Sequence, residues 1–506
     1  MSDSRHPVPS IWLMTCAIMA GAIAAVMGAS TINVALADVM AGLAISRDQV
    51  SWVSTAYMLA NVIAIPTAAW LGHLLSKRVV FTASLGVFML GSVLCGLSWD
   101  FGSMIAFRIL QGLGAGLIMP TAQMLLFEGF PPHKRGLAMG VYGLGAIMGP
   151  SIGPTLGGYL VEWLNWRAIF FINLPFGLVS LAMIGLLPRA PRQVSRGFDA
   201  PAFVAMVVCF STLQIALSNG AKDGWDAPYI IACFATCAVS GALLVLRELS
   251  TESPLLDLDV FRHGTYNVAT IVSLVVGLGL YGTTFMLPLY LGNVLGYTAL
   301  EIGLIMLPGS LVMGLMMLFS GRLSDLIDNR LLLLAGLGIF AYSLFDLSLA
   351  TVESSRAFYL WTLVWRGLGL GLVFSPLSAI ALAGVPPHLR SQATGIFNLT
   401  RQLAGTVGIA VMSTLLTTRT TFHMQALGQT MSGQNPATRA TLAGLRESLL
   451  AHGFAPDRAA QAAFALVAKA AGQQVTVQSF SDLYLICLVV TLAGLVPTVF
   501  LKSKQA

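Results

Sequence analysis

Gly129-Phe130-Pro131-Pro132-His133-Lys134-Arg135-Gly136-Leu137-Ala138-Met139-Gly140 returns 255 residues later as Gly384-Val385-Pro386-Pro387-His388-Leu389-Arg390-Ser391-Gln392-Ala393-Thr394-Gly395, with Gly, Pro, Pro, His, Arg and Gly held in register. A glycine-rich run precedes each copy: Gly112, Gly114 and Gly116 before the first, Gly367, Gly369 and Gly371 before the second. Each copy joins one long apolar run to the next. The chain therefore reads as two parallel repeats.

The runs on either side identify the solvent. Of 506 residues, 56% are hydrophobic and 9% charged, whereas soluble domains carry about 25% charge. Apolar stretches long enough to span a bilayer as helix, about 20 residues, fall at 11–37, 50–72, 78–98, 101–127, 136–161, 166–188, 200–219, 228–247, 265–291, 299–320, 331–350, 356–383, 391–417 and 480–502. Fourteen spans put both termini on one side. Fifteen cations (Arg5, Lys77, Arg78, Lys134, Arg135, Arg189, Arg192, Arg196, Arg247, Arg262, Arg322, Arg330, Arg390, Lys502, Lys504) lie on the termini's side, against Arg47, Arg167, Lys222 and Arg356 in the opposite short connectors. The positive-inside rule then places both termini in the cytoplasm. The first run is too long for a cleaved signal segment and is read as a span.

The expected organisation is an all-α polytopic membrane protein: a six-span bundle at 1–188, a linker with two inserted spans (7 and 8) at 189–264, and a second bundle at 265–506 with a long outer connector at 418–479. In that connector Leu442, Leu445, Leu449 and Leu450 follow helical spacing. Asp457 is placed to cap a second helix carrying Phe464, Val467 and Ala471. Their apolar faces need the protein's own outer surface, the lipid boundary or a partner helix.

Several classes drop out. The net charge of +6 comes without a basic run interleaved with aromatics, so nucleic acid is not expected as a partner. The six cysteines all lie in apolar runs and read as small buried hydrophobes. The seven histidines sit in tails or connectors, and neither a phosphate-binding Gly-x-x-x-x-Gly-Lys-Ser/Thr loop nor a His-Glu-x-x-His site is present. An enzyme, a metal centre, a cofactor and an ATP-driven step are not expected.

Span 5 carries Gly145, Gly149, Gly153 and Gly157 four apart and so on one face, with Pro150, Pro154 and Gly158 beside them. Such a groove lets a neighbouring backbone approach closely, and the prolines weaken the helix ladder. Arg108 lies within span 4, followed by Gln111. Even on low scales an arginine at a helix centre costs about 2.5–3.5 kcal/mol, so it needs a cavity and a partner. It is either a coupling residue or a structural one satisfied by backbone carbonyls. Three acids are candidates for carrying a proton: Asp346 in span 11, the most buried by position; Asp38 at the outer end of span 1, within easier reach of Arg108; and Glu128 at the inner end of span 4, expected to pair with Lys134 or Arg135. The polar residues Asn33, Tyr57, Gln111, Gln123, Tyr281, Asn398, Arg401 and Gln402 must line water or bind neighbouring helices.

These features together resemble the major facilitator superfamily, and within it the fourteen-helix drug:proton antiporters of the EmrB/QacA type. The ordering Gly145-x-x-x-Gly149-Pro150-x-x-Gly153-x-x-x-Gly157-Gly158 resembles the motif of exporters in that superfamily. Arg108-x-x-Gln111-Gly112-x-Gly114 resembles its proton-coupling motif. Trp52, Tyr57 and Pro66, the run Trp166-Arg167 to Gly177, and Asn398, Arg401, Gln402 and Gly405 add further matches. Relatives carry an acid before Asn33-Val34-Ala35 in span 1, and here Gly28 stands in its place. Gly321-Arg322-Leu323-Ser324-Asp325-x-x-Asp328-x-Arg330 resembles the superfamily's loop motif, in which an Asp engages a neighbouring helix N-terminus and a basic residue as a latch. The copy after span 2, Gly72 to Arg78, lacks that Asp.

The resemblance implies an inner-membrane exporter that exchanges protons for lipophilic drugs or toxic compounds by alternating access. The long outer connector resembles that of the EmrB branch, which implies an EmrA-like periplasmic adaptor and an outer-membrane channel as partners. A dedicated metabolite or siderophore exporter, and a non-transporting membrane sensor or scaffold, remain as rival readings.

Overall fold

The computed structural model describes residues 11–183, 199–251, 254–430 and 436–501, and these are helical throughout apart from short connectors. Twelve helices among them are long and apolar enough to cross a bilayer. In chain order the helices are α1 (Ile11–Ser30), α2 (Ile32–Gly42), α3 (Arg47–Leu75), α4 (Lys77–Gly96), α5 (Phe101–Gly129), α6 (Arg135–Trp163), α7 (Ala168–Phe171), α8 (Asn173–Ala182), α9 (Ala200–Asp223) and α10 (Pro228–Ser250). After them come α11 (Gly264–Asn293), α12 (Ala299–Leu326), α13 (Asn329–Ser348), α14 (Arg356–Ala383), α15 (Arg390–Thr430), α16 (Pro436–Ala451), α17 (Pro456–Ala493) and α18 (Leu495–Val499). Span 1 is thus two helices meeting at Thr31, and span 6 the broken pair α7 and α8. With α6, the architecture is consistent with fourteen crossings.

Side-chain caps start many of these helices. Ser46 with Gln49, Asp100 with Ser103 and Thr298 with Glu301 form capping boxes on α3, α5 and α12, satisfying amides that have no intrahelical partner. Within the first repeat α1 packs on α5, α6 and α8, and α5 on α3 and α4; within the second, α14 packs on α12 and α13, and α11 on α15 and α17. The inserted α9 touches α3 of the first repeat and α15 of the second, and α10 rests on α9. Leu243, Leu246 and Leu249 of α10 are exposed, as suits a face whose solvent is lipid.

The segment 418–479 differs from its reading as a connector. α15 continues unbroken to Thr430 and α17 runs from Pro456 directly into the last span. No proline interrupts 391–430. Falling hydropathy changes what surrounds a helix without breaking its hydrogen bonds. At 1.5 Å per residue, the 41 residues of α15 extend about 60 Å, twice the hydrocarbon thickness of about 30 Å. The leucines 442, 445, 449 and 450 fall on α16. Asp457 does not cap α17: Ala455 is its N-cap and Asp457 lies in the first turn, because Pro456 takes the position where its missing amide costs nothing.

Candidate functional site

The glycine run of α5 decides what lies around Arg108. A Cβ at Gly112 would stand 2.5 Å from the Tyr57 carbonyl of α3, one at Gly114 2.5 Å from the Phe88 amide of α4, and one at Gly116 would collide with the Asn61 carbonyl. Three helices therefore meet at backbone contact, and Arg108 is fully buried between them. Its Nε donates to the Val53 carbonyl at 2.9 Å, and its Nη1 to Gln111 Oε1 at 2.6 Å and to the Gly28 carbonyl at 3.2 Å. The guanidinium lies 4.3 Å from the Tyr57 ring centre, while Tyr57 donates to the Ala25 carbonyl at 2.9 Å and Gln111 to Ser92 at 2.6 Å.

The partners of Arg108 are thus carbonyls and an amide. It meets span 1 at Gly28, the position where the resemblance expects an acid, and a Cβ there would lie 3.0 Å from the Phe88 ring. None of the three candidate acids is among its partners. Asp38 is exposed. Asp346 is half-buried and accepts from the Thr362 hydroxyl. Glu128 is exposed and pairs with Lys77 at 2.6 Å rather than with Lys134 or Arg135, because α4 begins with Lys77 beside the end of α5.

The expected path residues divide into groups. Tyr57 and Gln111 belong to the Arg108 cluster, and the Tyr281 ring fills the space beside Gly405, 2.8 Å from a Cβ built there. Gln123, Asn398, Arg401 and Gln402 tie the repeats together. Asn398 donates to Gln123 Oε1 at 2.5 Å, and its Oδ1 accepts from Arg401 at 2.7 Å and from the Tyr142 hydroxyl at 3.3 Å. Gln402 donates to Asn61 at 3.5 Å. Tyr142 and Asn61 escaped the sequence reading, although a polar group inside a span is the signal that marks them. The side chain of Asn33 lies outside the described residues.

A second tie stands beside the Pro-Pro connectors. Asp325, at the end of α12, accepts from the amides of Gly136 at 2.9 Å and Leu137 at 3.1 Å in the first turn of α6. Ser375 donates to the Gly136 carbonyl at 3.1 Å. Gly136 and Gly321 face each other so closely that a Cβ on either would overlap the other's carbonyl. Asp328 accepts from the Arg330 amide at 3.0 Å and caps α13.

The four-residue glycine series of α6 faces α1 and α2. Cβ atoms at Gly145 and Gly153 would collide with Met19 and Ser30, one at Gly149 would lie 2.5 Å from Val26, and one at Gly157 2.9 Å from Val34. Ser30 donates to the Gly149 carbonyl at 3.0 Å. Gly158 has nothing within 4 Å. α6 runs as one helix through positions 150 and 154, whose proline side chains lie outside the described residues. Among the glycines of α6, the contacts at Gly136, Gly140 and Gly143 cross to α12, and those at Gly145, Gly149, Gly153 and Gly157 stay within the first repeat.

Residues 18–409 match the family model of the Major Facilitator Superfamily. The chain belongs to that superfamily. It is 31% identical to the colistin resistance protein EmrB of Acinetobacter baumannii over 86% of each chain, and 30% identical to the multidrug export protein EmrB of Escherichia coli K12 over 85% of this chain and 84% of that one. These relatives place it among the EmrB-type members. Among solved structures, the human organic anion transporter MFSD10 (TETRAN) shares the fold with a TM-score of 0.61 over 96% of this chain and 100% of its own, at 14% identity.

Proposed function

We propose that this major facilitator transporter is a proton-coupled exporter of drugs or toxic lipophilic compounds, held here in its outward-facing state. The reading rests on one observation: named contacts between repeats, Asp325 with Gly136 and Gln123 with Asn398, lie in the half carrying the Pro-Pro connectors, and Gln402 with Asn61 extends them to the middle of α3. By the positive-inside rule that end is cytoplasmic, so the site is sealed from the cytoplasm. The division at 1–188, 189–264 and 265–506 makes the repeats the rocking bodies, with both termini in the cytoplasm and the chain in a bacterial inner membrane. Asp325 is the latch that must break for inward opening. Arg108 and Asp346 are the coupling pair, approaching only in another state. The outer extension of α15, α16 and α17 is the element that an EmrA-like adaptor and an outer-membrane channel would engage.

The carbonyl partners of Arg108 favour a second reading, in which it secures the first repeat without handling protons. Full-length protein in sealed liposomes under an imposed pH gradient, with internal pH and a fluorescent lipophilic probe followed together, tests both. Gradient-driven probe movement with matching proton flux supports export, and its loss in Arg108→Ala assigns the coupling. Retained coupling with lowered thermal stability in that variant favours the structural role.

A further inference from the structure

Equivalent positions build the two seams between the repeats at the Pro-Pro end, and they pack differently. Gly136 and Gly140 of α6 have Ser391 and Gly395 of α15 as their counterparts, and Gly321-x-x-x-Asp325 at the end of α12 has Gly72-x-x-x-Ser76 at the end of α3. On the α6–α12 seam a Cβ at Gly136 or Gly140 would overlap the carbonyl of Gly321 or Met317, and Asp325 caps the first turn of α6. On the α3–α15 seam a Cβ at Gly395 would stand 3.6 Å from the Ile65 carbonyl, and one at Gly72 3.9 Å from Ser391 Oγ, both ordinary contact. Ser76 offers this turn no carboxylate, Glu128 is held by Lys77, and the buried Ser391 hydroxyl has no hydrogen-bond partner among the described residues. The α3–α15 seam thus lacks both the capping acid and the backbone contact that hold its counterpart.

The inserted α9 lies along that seam, touching both α3 and α15, with α10 outside it. Its Phe210 packs against Val62 and Ile65 of α3 and Leu399 of α15. To α15 it is also hydrogen-bonded. Thr406 donates to Gln214 Oε1 at 3.1 Å, and Trp225, in the loop after α9, donates to Thr414 at 3.0 Å. The Trp225 ring is fixed in turn, stacked on Phe234 of α10 with centres 6.1 Å apart and lying so close to Gly220 that a Cβ there would overlap it. At the inner end Glu248 of α10 accepts at 3.1 Å from the amide of Leu256, in the buried segment that leads to α11. Apolar side chains leaving a helix for lipid lose little, since lipid tails are as apolar as the face they leave, whereas a polar group stripped of its partner there costs several kcal/mol.

We propose that the inserted pair travels with the second repeat, and that α9 is a sliding cover on the α3–α15 seam: it keeps its hydrogen bonds to α15 and shifts across α3 when the inner end opens. The two seams are then held by different chemistry, a carboxylate on helix amides at one and apolar contact under a moving helix at the other. The motion rests on the export reading, but which repeat carries α9 is tested without transport.

The experiment places spin-label pairs on the full-length protein in lipid nanodiscs, joining Val204 of α9 to His388 before α15, and Val204 to Val79 at the start of α4, all exposed positions. A third pair, His133 with Leu326, reports the inner end. In Asp325→Asn the Val204–Val79 distance is expected to shift together with the His133–Leu326 distance, while Val204–His388 stays as in wild type. Trp225→Phe keeps a ring beside Gly220 but removes the bond to Thr414; it is expected to broaden the Val204–His388 distribution, as is Thr414→Val, whereas Phe210→Leu leaves it unchanged. A Val204–His388 distance that shifts while Val204–Val79 holds assigns the pair to the first repeat and overturns the inference. So do two Val204 distances that hold while the inner end opens, and so does an unbroadened distribution in both Trp225→Phe and Thr414→Val. Three fixed distances overturn alternating access and the inference together. The expected shifts without gradient-driven probe movement in liposomes uphold the inference and remove the export reading.

Discussion

Asp325 caps Gly136 across 189 residues of chain, its carboxylate 2.9 Å from the first-turn amide of a helix in the other repeat. The first turn of α6 leaves amides without intrahelical partners and carries the positive end of the helix dipole. A carboxylate there ties the two repeats through main-chain amides of α6, and its departure would break neither helix.

Asp325→Asn keeps the shape and removes the charge. Hydrogen bonds to charged groups contribute about 1.5–3 kcal/mol, and neutral ones about 0.5–1.5 kcal/mol. The inward-open population is expected to rise about tenfold, read as a longer distance between spin labels at His133 and Leu326 on the two exposed edges. An unchanged distance distribution would remove the latch.

The α6 glycines separate by environment. Gly149→Ala puts a Cβ 2.5 Å from Val26, whereas Gly158→Ala meets nothing within 4 Å. Overpacking costs about 1–3 kcal/mol, so the first variant is expected to melt lower and transport more slowly, with the second close to wild type. Equal thermal shifts in the two would show that the series does not set the α1–α6 fit.

Arg108→Lys retains charge but replaces a fork with a point. One ammonium cannot serve Val53, Gly28 and Gln111 as the guanidinium does. Each buried acceptor left unsatisfied costs about 1–3 kcal/mol. A lowered melting temperature with about tenfold slower coupled transport is expected. A silent Arg108→Lys would show that only the charge matters.

Acid should loosen the start of the inserted pair. Burial favours the neutral form of Asp199, but the Ala202 amide and the Arg247 guanidinium outweigh it and hold the carboxyl below its ordinary range. A group whose folded value is depressed stabilises above its unfolded value, about 4, and loses that contribution as pH falls through the folded one. Melting temperature is expected to drop more steeply between pH 5 and 3 (about 2 units around that value) in wild type than in Asp199→Asn. Parallel slopes would dissociate Asp199 from acid sensitivity.

Much of the fold was legible because hydropathy acts one residue at a time. Length and charge located the spans, and the duplicated Pro-Pro-His connector revealed two repeats. The continuous α15 and α17 were less legible, since polarity marks the end of the lipid and not the end of a helix. Within the site, Arg108 stood out as a cation in an apolar run, and Asp325 as part of a motif. Arg366, buried in α14 beside Gly367, carries the same signal.

By itself the sequence determined solvent, repeat and the residues too polar for their surroundings, because the free energy of placing a side chain in lipid depends on that side chain. Tertiary structure alone decided partners: Gly28's carbonyl for Arg108, Lys77 for Glu128, and Gly136 for Asp325. A hydrogen bond depends on where two groups remote in the chain come to rest, and backbone contact at glycines such as Gly112 and Gly321 brings them there.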